Sequence, residues 1–97
     1  MAEKKKMIVL VEDEKTIANL IELRLKRSGY EVKVVYDGEK GLETILTSNP
    51  DLVLLDMLLP GLSGFSILKK LKEKHVFLIY PLLSFQTLFS LCSLNGQ

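Results

Sequence analysis

A single cysteine, Cys92, among 97 residues excludes an internal disulfide and any zinc site built on cysteines. A reducing, intracellular setting follows as the simple reading, and a cytoplasmic protein is expected. An excess of either charge is also missing. Thirteen basic residues face twelve acidic ones for a net charge of +1, so nothing in the bulk charge draws the chain to nucleic acid or to an anionic membrane. The apolar run behind the basic start, Met7 to Val11, is cut off by Glu12-Asp13-Glu14 and is too short for a signal peptide. No repeat of solenoid period is present. A composition 47% hydrophobic and 26% charged is that of a folded chain, and its length suits one small domain. The most informative lack is local: no Asp, Glu, Lys or Arg follows Lys74. That break divides the chain into a core, residues 1–75, and an uncharged apolar tail, residues 76–97.

The core alternates two periodicities. Met7 to Val11 reads as a strand covered on both faces. Ile17, Leu20, Ile21 and Leu25 then recur at helical spacing from about Lys15 to Arg27, closed by Ser28-Gly29. Val32, Val34, Val35 and Tyr36 form a β-branched second strand, and Asp37-Gly38 is turn chemistry. Leu42, Ile45 and Leu46 line a shorter helix ending at Ser48-Asn49-Pro50. Asp51 to Asp56 is a third buried strand. Pro60-Gly61 and Ser63-Gly64 make a loop, and Phe65, Ile67, Leu68 and Leu71 give a third helix. The order β-α-β-α-β-α predicts a doubly wound parallel sheet with helices on both faces, a three-layer α/β fold. A fourth strand is due in the high seventies and a fifth at about residue 100, past the last residue.

Ligands of such sheets collect at the carboxyl ends of the strands, and here those ends are acidic. The first strand exits into Glu12-Asp13 and the third into Asp56. Neighbouring strands would bring the three carboxylates within a few ångströms, raising their pKa values by repulsion unless a cation sits among them. Oxygen ligands with room for water suit Mg²⁺ better than zinc. A carboxylate beside Mg²⁺ can attack a phosphoryl group. The competing reading is that acids after a strand cap the next helix and favour its dipole.

The segments IVLVEDE and DLVLLDMLLPGLSG, with VVYDGEKGLE between them, resemble the receiver domain of two-component response regulators over residues 7 to about 75. The pattern is an acidic pair after the first strand (Glu12-Asp13) and an aspartate after the third (Asp56). Pro60 follows that aspartate four residues on and Gly64 eight residues on. The resemblance implies a flavodoxin-like receiver fold of strand order 2-1-3-4-5. It implies that Asp56 accepts phosphate from a sensor histidine kinase or a phosphotransfer protein. Asp13 would bind Mg²⁺ directly, Glu12 through metal-bound water, and the backbone carbonyl of Leu58 would be a further ligand. Asp56 itself belongs to the metal set. Pro60 and Gly64 would shape the loop and start the third helix.

The resemblance fades after His75. The family places a Ser or Thr at the end of its fourth strand; Ser84 falls at that offset and Thr87 is a second candidate. The family's lysine at the end of the fifth strand has no counterpart, and the elements around it are missing. The expected fold is therefore an incomplete receiver, with weakened switching. Pro81 inside the fourth strand would remove a ladder donor. Three explanations of the tail stand open: a truncated or frameshifted receiver gene, a variant packing over the sheet edge, and a membrane anchor over Val76 to Leu94 flanked by Lys72, Lys74 and His75. An unpacked tail would promote a homodimer or strand-swapped oligomer.

Lys4-Lys5-Lys6 reads as a solvated terminus, His75 as a helix-end residue and Cys92 as an apolar filler. The function expected is Mg²⁺-dependent phosphoryl acceptance by a signalling domain, not an enzyme of ordinary turnover, with no direct nucleic-acid binding and no membrane role. The alternative is a receiver-like interaction module that binds a kinase or another receiver without phosphorylation. A phosphohydrolase is disfavoured, since its second acid would stand where Leu58 does.

Overall fold

The structure, a computed structural model, describes residues 4–57, 59, 62–73 and 78–82, the last of these as a backbone path. Seven elements follow in order: β1 (Met7–Val11), α1 (Lys15–Arg27), β2 (Glu31–Val35), α2 (Gly38–Ser48), β3 (Leu52–Asp56), α3 (Gly64–Glu73) and β4 (Leu78–Leu82). The strands pair in parallel in the order β2-β1-β3-β4. Parallel neighbours need crossovers, and right-handed ones put helices on opposite faces when the winding direction reverses. The chain steps from β1 to β2, then back across β1 to β3 and on to β4. α1 accordingly covers one face, while α2 and α3 cover the other.

This sandwiching explains the unbroken apolar strands. Val9, Val11, Val53 and Leu55 pack with Ile45, Ile67 and Leu71 on the α2–α3 face. Ile8, Leu10 and Leu54 pack with Ala18 and Ile21 on the α1 face. β2, at the edge, instead alternates exposed Glu31 and Lys33 with buried Val32. Removing one methyl from the fully buried Ile45 should cost about 1 kcal/mol. Ile45→Val should lower the urea midpoint without changing the slope of the transition.

Three apolar residues that the sequence pattern places on helix core faces are exposed: Leu20 at 55%, Leu46 at 45% and Phe65 at 60%. Helical geometry gives the reason. The buried line of α1 runs through Ala18 and Ile21, with Ile17 and Leu25 beside it; Leu20, two positions from Ala18, lies about 200° around the axis. Phe65 stands in the same relation to Ile67. Leu46 is displaced by about 100° from Ile45.

The helix ends follow local chemistry. Glu14 caps α1, accepting from the Thr16 amide at 3.2 Å. Asp37 caps α2, accepting from the Lys40 amide at 3.0 Å. Gly29, at φ 95°, and Asn49, at φ 52°, close the two helices in left-handed backbone.

β4 lies where the fourth strand is due, with Pro81 opposite Leu55. Among the described residues it has a strand neighbour on one side alone, a position that tolerates proline's missing donor. Of the stretch considered as a membrane anchor, residues 78–82 form this strand, and residues 76, 77 and 83–94 lie outside the described residues. Among the described residues no helix is long and apolar enough to cross a membrane.

Candidate functional site

The winding reverses between β1 and β3, and the carboxyl ends of those strands open a crevice at such a point. Register then sets the site. Val11 stands opposite Leu55, so the residues that follow them, Glu12 and Asp56, sit at equal height. The Glu12 amide donates to the Val35 carbonyl at 3.0 Å, carrying the β1–β2 pairing past the strand. Carboxylate oxygens of Glu12, Asp13 and Asp56 all lie within 4.8 Å of one another. Glu12 is buried, Asp56 half-buried and Asp13 exposed.

The acidic run after β1 serves two purposes, one per residue set. Glu14 is the cap of α1, and a Glu12 carboxylate oxygen accepts from the Glu14 amide at 3.1 Å. Capping thus accounts for Glu14 and leaves Glu12 and Asp13 directed to the crevice. The capping reading holds for Glu14, and Glu12 and Asp13 remain as candidate ligands.

Burial pushes the Glu12 carboxyl from the usual 4.5 up to about 7. Desolvation is the largest cause. The Glu14 amide opposes it, while hydrogen bonds and repulsion from Asp56, and a hydrogen bond with Asp13, add to it. The sequence argument expected repulsion to dominate; the structure puts burial first, because Glu12 is only 6% exposed. The folded chain holds this proton more tightly than the unfolded one. Its contribution to stability is fully present below pH 4.5 and is lost as pH rises through 7. In metal-free buffer, unfolding free energy should fall by on the order of 2 kcal/mol between pH 5 and pH 8. Glu12→Gln should flatten that slope in urea titrations.

The loop after Asp56 is held by close backbone approaches. A Cβ on Gly64 would overlap the Asp56 carbonyl oxygen and the Met57 Cα, so only glycine fits the start of α3. Met57 and Leu59 bury their side chains in the core. Ser63 opens α3, its hydroxyl accepting from the Ser66 amide at 3.3 Å. A Cβ on Gly38 would in turn overlap the Leu62 carbonyl oxygen. That contact is invisible in the sequence, where Asp37-Gly38 reads only as a turn. At the rim, the Lys15 amine lies 5.3 Å from the centre of the Tyr36 ring.

The sequence reading is thus matched in position by Glu12, Asp13 and Asp56, which the fold brings together. Leu58, Pro60, Ser84, Thr87, His75 and Cys92 lie outside the described residues. The donor set is oxygen alone, with one exposed member leaving room for water. That chemistry fits a hard divalent cation such as Mg²⁺.

The family model of the response regulator receiver domain matches residues 8–84. The chain belongs to this family. Solved receiver structures share its fold. The response regulator TrrA of Thermotoga maritima, in complex with Mg²⁺ and BeF, superposes with a TM-score of 0.69 at 36% identity, covering 71% of this chain and 60% of that one. In the complex of histidine kinase ThkA with TrrA, the match has a TM-score of 0.75 at 35% identity over 81% of this chain and 69% of that one. A Chloroflexus aurantiacus protein assigned to the response regulators matches at a TM-score of 0.70 and 36% identity, over 72% of this receiver chain and 57% of its own length. The chain therefore spans 57% of the Chloroflexus protein and between 60% and 69% of the Thermotoga one.

Proposed function

We propose that this receiver takes a phosphoryl group onto Asp56 from the phosphohistidine of a sensor histidine kinase or phosphotransfer protein, in a Mg²⁺-dependent reaction. The carrying observation is the position of Asp56 at a strand end, its carboxylate within 4.8 Å of those of Glu12 and Asp13. Support also comes from TrrA, crystallised with Mg²⁺ and BeF and, separately, with its histidine kinase.

The chemistry balances simply. A carboxylate oxygen of Asp56 forms the new P–O bond as the P–N bond of the donor breaks, and the imidazole leaves with the electron pair. Asp13 and Asp56, with the Leu58 carbonyl, would hold Mg²⁺, and Glu12 would hold one of its waters. Bound there, Mg²⁺ would offset the charge brought by the phosphoryl oxygens. Glu12 would have to give up the proton that burial favours. Ser84 is proposed as a hydroxyl donor to the phosphoryl group. The chain acts as a cytoplasmic signalling acceptor rather than a turnover enzyme. Mg²⁺-dependent gain of phosphoryl mass from acetyl phosphate tests the proposal; a chain that stays unmodified would leave an interaction module.

A further inference from the structure

The first turn of α2 touches Val11, just before Glu12, and Leu62, just before the start of α3. A Cβ on Gly41 would lie 2.8 Å from a Val11 methyl, one residue before Glu12. A Cβ on Gly38 would overlap the Leu62 carbonyl oxygen and lie 3.1 Å from the Leu62 carbonyl carbon. Leu62 precedes Ser63 and Gly64, and Gly64 rests on the Asp56 carbonyl. The turn itself is held by the Asp37 cap, with the Gly41 amide donating to the Asp37 carbonyl at 2.9 Å. Gly38 is not in left-handed backbone, since Gly29 alone among the described glycines has positive φ. Space, not conformation, demands glycine at 38.

We infer that Gly38 is a positioning residue for phosphoryl acceptance: its missing side chain lets α2 seat on Leu62, which sets the loop after Asp56 against the Glu12–Asp13 side. The inference rests on Asp56 being the acceptor. A methyl at 38 must push the loop or the helix by a large fraction of a bond length. Displacements of about 1 Å at a reacting centre carry large kinetic penalties.

The test compares the full chain with Gly38→Ala and with Ile45→Val, a destabilising core change on the same helix that leaves the contact of Gly38 with the Leu62 backbone in place. Calorimetric Mg²⁺ titration, the rate of phosphoryl gain from acetyl phosphate and hydrogen exchange are read for each. Gly38→Ala should weaken Mg²⁺ binding about tenfold, slow phosphoryl gain at saturating Mg²⁺, and raise exchange in residues 57–63. Ile45→Val should change binding and rate by less than about twofold. Equal effects of the two variants, or binding and rate in Gly38→Ala within about twofold of the parent, would overturn the inference. Should Gly38→Ala not fold, Leu62→Gly removes the Cβ beside Gly38 and loosens the backbone that carries the contacted carbonyl, and it must move the same three readouts. A parent chain that gains no phosphate would sink the acceptor reading itself, a result distinct from a competent parent with an unaffected Gly38→Ala.

Discussion

Asp56→Asn is expected to remain at its unmodified mass after incubation with acetyl phosphate and Mg²⁺, while the parent chain gains one phosphoryl group. The amide keeps the shape of the side chain but lacks the anionic oxygen that would attack phosphorus. Loss should be complete rather than partial, because in the proposed function Glu12 and Asp13 would serve the cation. The fold should survive. Asp56 contributes repulsion and hydrogen bonding that raise the Glu12 pKa, so removing its charge relieves part of that load. Melting temperature at neutral pH should accordingly hold or rise. Phosphate uptake by the Asn variant, or uptake by the parent in excess EDTA, would show that the modification is elsewhere or needs no metal.

The second large effect is expected at Asp13. Asp13→Asn removes one of three negative charges gathered within 4.8 Å, and Mg²⁺ binding should weaken by about a hundredfold, as loss of a close ionic contact to a divalent cation implies. Glu14→Gln is the informative contrast. It lies one residue away, keeps an acceptor oxygen for the Thr16 amide, and should leave Mg²⁺ affinity within about twofold. Calorimetric titration of both variants separates the crevice acids from the helix cap. Comparable losses in the two would mean that the acidic run acts as a diffuse charge cluster, and the assignment of separate roles would fall.

Much of the architecture was legible because the strands advertise burial on both faces. MIVLV and LVLL are apolar throughout, as strands of a parallel sheet covered by helices on both faces are. Helix boundaries were legible from Ser28-Gly29 and from Ser48-Asn49-Pro50. The faces of the helices were less so. Leucine and phenylalanine at 20, 46 and 65 fit an apolar list, yet a stripe is defined by rotation about the axis, and the small residues Ala18 and Gly41 mark where the helices meet the sheet. Small residues are easily passed over in a search for large ones.

The acidic site divides along the same line. Sequence by itself determined which residues could meet: acids at the ends of the first and third strands, followed by a proline–glycine loop at family spacing. That follows from chain connectivity, since a strand end and the residue after it are fixed to each other covalently. Tertiary structure alone decided the rest. Adjacency of β1 and β3 brought Glu12 and Asp56 to one height, because register is a relation between distant segments. Burial gave Glu12 its raised pKa, because desolvation depends on everything packed around it. The seat of Gly38 on Leu62 joined residues from different βα units, and no local pattern records such a contact.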